Sequence, residues 1–124
     1  MELVWVGIGG GIGAIARHAM GRSISERVNS VFPYGTFAIN LLGAFLIGML
    51  FALLVERGVG PAHLRLLLIT GFLGGFTTFS AYTIEAITLA EAGSWNTALL
   101  YVVASNLLGL LACLAGIVAI RTIM

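Results

Sequence analysis

Lysine and aspartate do not occur in this chain, and six arginines and five glutamates are the only charged residues among its 124. Charged residues make up 9% of the sequence, against about 25% in ordinary soluble domains. So few charges cannot cover the surface of a water-soluble globule, which excludes one. A net charge of +1 without any basic cluster excludes a nucleic-acid binder, since phosphates would find nothing to hold them. The single cysteine, Cys113, sits in an apolar run and excludes a disulfide framework or a cysteine-based metal site. What the chain has in excess is apolar surface: 60% of its residues are hydrophobic and the mean hydropathy is +1.09. The composition is that of an integral membrane protein, and the length allows a single domain, residues 1–124.

A helix needs roughly 20 apolar residues to cross about 30 Å of hydrocarbon. The charges leave four windows for such helices, expected at about 3–21, 34–55, 66–84 and 96–120. The first window is charge-free for only 14 residues, Leu3 to Ala16, too few to span at about 1.5 Å each. Extending it to Gly21 draws Arg17 into or near the membrane. No positive flank or small-residue cleavage site marks the first run as a cleaved leader. Gly93 to Asn96 reads as a capping turn before the last helix.

With four spans, Arg57, Arg65 and Arg121 fall on one side and Arg17, Arg22 and Arg27 on the other. Arginine bias, which normally orients a membrane protein, therefore has nothing to choose with. Either a weak residual bias decides, or the chain inserts both ways and pairs antiparallel with itself.

Four helices of this size leave no room for a pore within one subunit, so any pathway should run between subunits or helices. The first helix carries Gly7, Gly9, Gly10, Gly11, Gly13 and Ala14, which suit close helix packing. The same run formally matches a dinucleotide-binding glycine pattern, rejected because no βαβ unit surrounds it. Arg17 either snorkels to the interface or faces an aqueous vestibule and concentrates anions. Thr36, Asn40, Ala44, Gly48 and Ala52 recur every four residues, so Asn40 faces protein. Its amide either bonds across a helix pair or donates to an anion. In the third helix, Gly74 and Gly75 precede Thr77, Thr78 and Ser80. The adjacent glycines suggest a break at mid-membrane whose freed carbonyls need protein or an ion; the alternative is an intact, closely packed helix. Phe79 and Tyr82 share a face among hydroxyl residues, either as packing or as ring edges lining an anion path. Tyr101 and Ser105 stand one turn apart on the fourth helix, with Asn106 on a neighbouring face that the pattern leaves unassigned. Glu85 reads as closing the third helix, and the remaining glutamates lie at ends or in loops. His18 and His63 are solitary. Donors without membrane acids suit an anion better than a cation or proton path.

Three stretches then form a pattern. Gly9-Gly-Gly-Ile-Gly-Ala-Ile-Ala-Arg17, Tyr34-Gly-Thr-Phe-Ala-Ile-Asn-Leu-Leu-Gly-Ala-Phe45 and Gly71-Phe-Leu-Gly-Gly-Phe-Thr-Thr-Phe-Ser80 resemble, in order and spacing, signatures of the CrcB/Fluc fluoride channel family. The resemblance covers the whole chain. It implies a passive fluoride-selective channel in the cell (inner) membrane, not an enzyme, working as an antiparallel dual-topology homodimer with two pores at the interface. It further implies a central structural Na⁺ on the main-chain carbonyls of Gly74 and Thr77. The implied fluoride pathway comprises Asn40, Phe79, Tyr82, Thr78, Ser80, Tyr101, Ser105 and Glu85, with Arg17 in the vestibule. Two places depart from the family pattern: Tyr82 and Ala81 stand where phenylalanine and threonine are usual, and Gly109 where serine is frequent. The Tyr82 hydroxyl should then point to a polar vestibule, because burying it unpaired costs about 1–3 kcal/mol. Two other readings remain: a small multidrug-type proton-coupled exporter, which would need a first-helix glutamate better placed than Glu2, and an assembly subunit without transport.

Overall fold

A computed structural model describes all residues from Met1 to Met124. The chain is helical throughout its apolar windows: α1 (Glu2–Arg27), α2 (Tyr34–Glu56), α3 (residues 62–76), α4 (Phe79–Glu91) and α5 (Trp95–Ile123). The last turns of α2, Phe51–Glu56, and the Leu66–Leu73 stretch of α3 are wound as π-helix. Helices α3 and α4 together form the third membrane span, Ala62–Glu91, so the protein has four spans and is a multi-pass membrane protein. Of 100 backbone hydrogen bonds, 86 lie inside the helices. That is the arrangement a chain must adopt where no water can serve its amides.

Glycines bring the spans together. A Cβ on Gly9 would strike Leu67 O, one on Gly13 would strike Phe72 O, and one on Gly75 would strike Gly10 O. Helices α1 and α3 therefore touch backbone to backbone. Helices α2 and α5 do likewise, at Gly48 against Cys113 O and Gly116 against Phe45 O. Ile39, Leu73 and Phe76 form a buried cluster between α2 and α3. A second cluster, Leu89, Ala98 and Tyr101, joins α4 to α5, with Phe32 and Phe37 packed on it.

Both termini and the 57–61 turn share one end of the bundle. There Trp5 stacks on His63 with ring centroids 4.5 Å apart. The Arg57 Nη1 donates to Met124 O at 2.8 Å, and the Arg121 Nε donates to Glu56 Oε2 at 3.0 Å. The turn before α5 is made at Gly93, whose φ of 87° is open to glycine at no steric cost.

The break in the third span begins two residues beyond the adjacent glycines. Gly74 and Gly75 are helical, and the chain becomes extended at Thr77 (φ −81°, ψ 157°) and Thr78 (φ −147°, ψ 115°). Gly75 serves close packing, since it must admit the α1 backbone at Gly10, whereas Gly74 faces open space. Thr78 starts the next helix by accepting the Ala81 N–H on its side chain at 3.1 Å, a cap that β-branched threonine in an extended conformation is suited to make. Helix α4 then runs to Glu91, so Glu85 lies inside it and not at its end. Helix α1 also outlasts its apolar window, continuing to Arg27 with Arg22 Nε 2.8 Å from Glu26 Oε1 on its exposed last turns.

Candidate functional site

The break separates backbone groups from their helical partners, and side chains from other spans take them up. Thr78 N–H, which in an unbroken helix would serve Gly74 O, donates instead to Asn40 Oδ1 at 2.8 Å. Asn40 Nδ2 returns a bond to Thr78 O at 2.9 Å. Gly75 O accepts from the Arg17 Nε at 3.0 Å. Asn40 and Arg17, one polar residue from each of the first two spans, thus both grip the broken third span. One hydrogen of the Asn40 amide stays uncommitted.

Two clefts meet at Thr78. The wider, about 400 Å³, contains Arg17, Thr36, Ala81 and Glu85. The narrower, about 270 Å³, is lined by Asn40, Thr77, Thr78, Phe79, Tyr82, Ser105 and Asn106. Every polar side chain in the narrower groove is a hydroxyl or an amide, and none is a carboxylate. Ser105 Oγ is buried there with no hydrogen-bond partner. The Phe79 and Tyr82 rings lie 5.6 Å apart, and Tyr82 meets Tyr101 edge-on at 5.3 Å.

Five of the pathway residues expected from the sequence, Asn40, Thr78, Phe79, Tyr82 and Ser105, therefore line one groove. The others stand elsewhere. Tyr101 is fully buried beneath it, and its hydroxyl donates to Glu85 Oε1 at 3.1 Å. Glu85 takes a second donor, Thr36 Oγ1, on Oε2 at 3.0 Å, and faces the wider cleft with Arg17. Ser80 is exposed, 3.4 Å from Thr78 Oγ1. Gly74 and Thr77 border a third, mainly apolar groove with Asn40. Thr36 and Asn106 are the site residues that sequence reasoning missed. Thr36 belongs to the same four-residue stripe as Asn40, which was the available signal. Asn106 donates to the Tyr82 hydroxyl at 2.9 Å, a link between spans that no spacing rule reveals.

The model of the family described as CrcB-like protein, Camphor Resistance (CrcB), matches residues 4–117. The chain belongs to the CrcB family. A Magnetococcus marinus protein named fluoride-specific ion channel FluC is 42% identical over 123 residues, covering 99% of this chain and 100% of its own. A protein of the same name from Acidobacterium capsulatum is 45% identical over 119 residues, covering 95% of this chain and 94% of its own. Another, from a Hydrogenobaculum species, is 47% identical over 111 residues, covering 90% of each chain. Membership in CrcB makes the protein a membrane transporter and not an enzyme.

Proposed function

We propose that this protein is a passive, fluoride-selective channel through which cytoplasmic fluoride leaves across the inner membrane. The observation that carries the reading is Ser105 Oγ, buried and unpartnered in a groove that otherwise presents only hydroxyls, amides and aromatic rings. An unpaired buried hydroxyl costs about 1–3 kcal/mol, and an anion in the groove removes that cost by accepting a hydrogen bond from it. The spare Asn40 N–H and the hydroxyl of Thr78 offer further donors, while the edges of Phe79 and Tyr82 carry partial positive charge. Without a carboxylate in the lining, neither a cation nor a proton relay is served. The name shared by the relatives supports fluoride as the anion.

The channel works as an antiparallel homodimer with a pore on each side of the interface. Three considerations support this: arginines are balanced between the two sides, Phe79 is 69% exposed in one subunit, and only 16 of 124 residues are buried within it. A second copy closes the open side of the groove, and lipid covers the remaining apolar surface. A structural Na⁺ at the dimer centre fits the residues present. Thr78 N–H is diverted to Asn40, which frees Gly74 O, and nothing stands within 4 Å on the outer side of Gly74. The carbonyls of Gly74 and Thr77 are hard, neutral ligands suited to such an ion. Bound there, Na⁺ would supply a fixed positive charge that favours nearby anions.

The test is efflux from liposomes loaded with fluoride or chloride and containing purified protein. Rapid fluoride release with chloride retained is the expected result. Liposomes that hold fluoride as tightly as protein-free vesicles would overturn the reading.

A further inference from the structure

At position 82 the chain carries a hydroxyl that the groove does not need for packing, and the structure gives it a dedicated partner. Asn106 Nδ2 lies 2.8 Å from Val102 O and 2.9 Å from Tyr82 Oη. A carbonyl can only accept, so the bond to Val102 fixes which end of the Asn106 amide is nitrogen. The second hydrogen on that nitrogen points at Tyr82, making the tyrosine hydroxyl the acceptor of the pair. Its own proton is then left free, as no side chain or backbone group takes it. A hydroxyl that accepts a hydrogen bond becomes a stronger donor through mutual polarisation. Tyr82 and Asn106 both line the groove that holds the unpartnered Ser105 Oγ.

We propose that Asn106 is a positioning residue that turns the Tyr82 hydroxyl into a donor for the transported anion. On this view Tyr82 meets fluoride with an O–H as well as a ring edge. Asn106 acts through Tyr82 by occupying a lone pair of its oxygen, which turns the proton away from Asn106 and toward the groove. A bond from a neutral donor to an anion is charge-assisted and stronger than one between neutral groups. Among the common anions, fluoride accepts hydrogen bonds most strongly. The ring contacts of Tyr82 with Phe79 at 5.6 Å and with Tyr101 at 5.3 Å limit its swing, so the hydroxyl is held in place and not merely present. The inference rests on the fluoride-channel reading.

Its test is a double-substitution cycle in fluoride-loaded liposomes, comparing initial efflux rates of wild type, Tyr82→Phe, Asn106→Leu and the combined variant. Loss of the hydroxyl in Tyr82→Phe should slow efflux about tenfold, the low end of what a hydrogen bond to a charged group is worth, and loss of its orientation in Asn106→Leu should slow it roughly fivefold. The combined variant should be no slower than Tyr82→Phe alone, because Asn106 has nothing left to position. Asn106→Ala serves the same purpose if the leucine variant does not purify as a folded protein. Wild-type efflux from Tyr82→Phe overturns the proposal. So does a fivefold loss from Asn106→Leu that persists on top of Tyr82→Phe, since Asn106 would then act through Val102 or packing. A wild type that releases no fluoride overturns the channel reading itself and this proposal with it, an outcome distinct from the other two.

Discussion

Asn40 holds Thr78 by both ends of its amide, donating to its carbonyl at 2.9 Å and accepting from its N–H at 2.8 Å. The side chain thereby stands in for the helical neighbours that the broken span lacks. The helix α2 asparagine and the helix break are one structural unit.

Asn40→Asp should separate these bonds. The carboxylate still accepts from Thr78 N–H but can no longer donate to Thr78 O, which is left facing an oxygen. A loss of about 1–3 kcal/mol is expected, read as a lowered thermal midpoint in detergent, with fluoride efflux falling in parallel. A midpoint equal to wild type would mean the clasp contributes nothing to the fold.

Gly75 and Gly74 should respond oppositely to alanine. At Gly75 a methyl would strike the Gly10 backbone, whereas at Gly74 it meets nothing within 4 Å. Backbone cannot yield as a flexible side chain can, so Gly75→Ala should cost about 3 kcal/mol or more and yield little folded protein. Gly74→Ala should leave the subunit folded. If Gly74→Ala also weakens dimerisation, as judged by cross-linking in membranes, the open side of Gly74 is a subunit contact.

Phe79 is 69% exposed in the subunit, so it contributes little to the fold of one chain. Phe79→Ile should therefore purify with nearly wild-type thermal stability yet lose most fluoride efflux. Wild-type efflux from this variant would reduce the Phe79–Tyr82 pair to packing.

Arg17 donates to Gly75 O through Nε and lines the wider cleft, two roles that substitution can part. Arg17→Lys keeps the charge but cannot reproduce the planar donor. It should lower the thermal midpoint, by about 1–2 kcal/mol, and leave the salt dependence of efflux unchanged. Arg17→Met should alter both. An unchanged midpoint in both variants would show that the bond to Gly75 is not stabilising.

Orientation gives a further check. Two lysines added to one loop should force a single orientation and abolish efflux, and co-expression with an oppositely biased copy should restore it. Full activity from a singly oriented protein would exclude the antiparallel dimer.

Much of this architecture was legible from residue order alone. Sparse charge and long apolar runs dictate four spans, because unpaired backbone in hydrocarbon leaves helices as the available solution. The glycine runs announced close packing, and the four-residue stripe through Asn40 marked that residue as one that faces protein. Spacing could not locate the break, since glycine favours both a kink and a tight contact. Only the approach of Gly10 to Gly75 decided for contact and moved the break to Thr77–Thr78. Nor could it pair Thr36 and Tyr101 with Glu85, or Asn106 with Tyr82, because those partners lie 49, 16 and 24 residues apart. Periodicity reports which face of a helix a residue occupies. Which residues meet across faces is set by the rotation and depth of each helix against its neighbours, and that is fixed only when backbones close at their glycines.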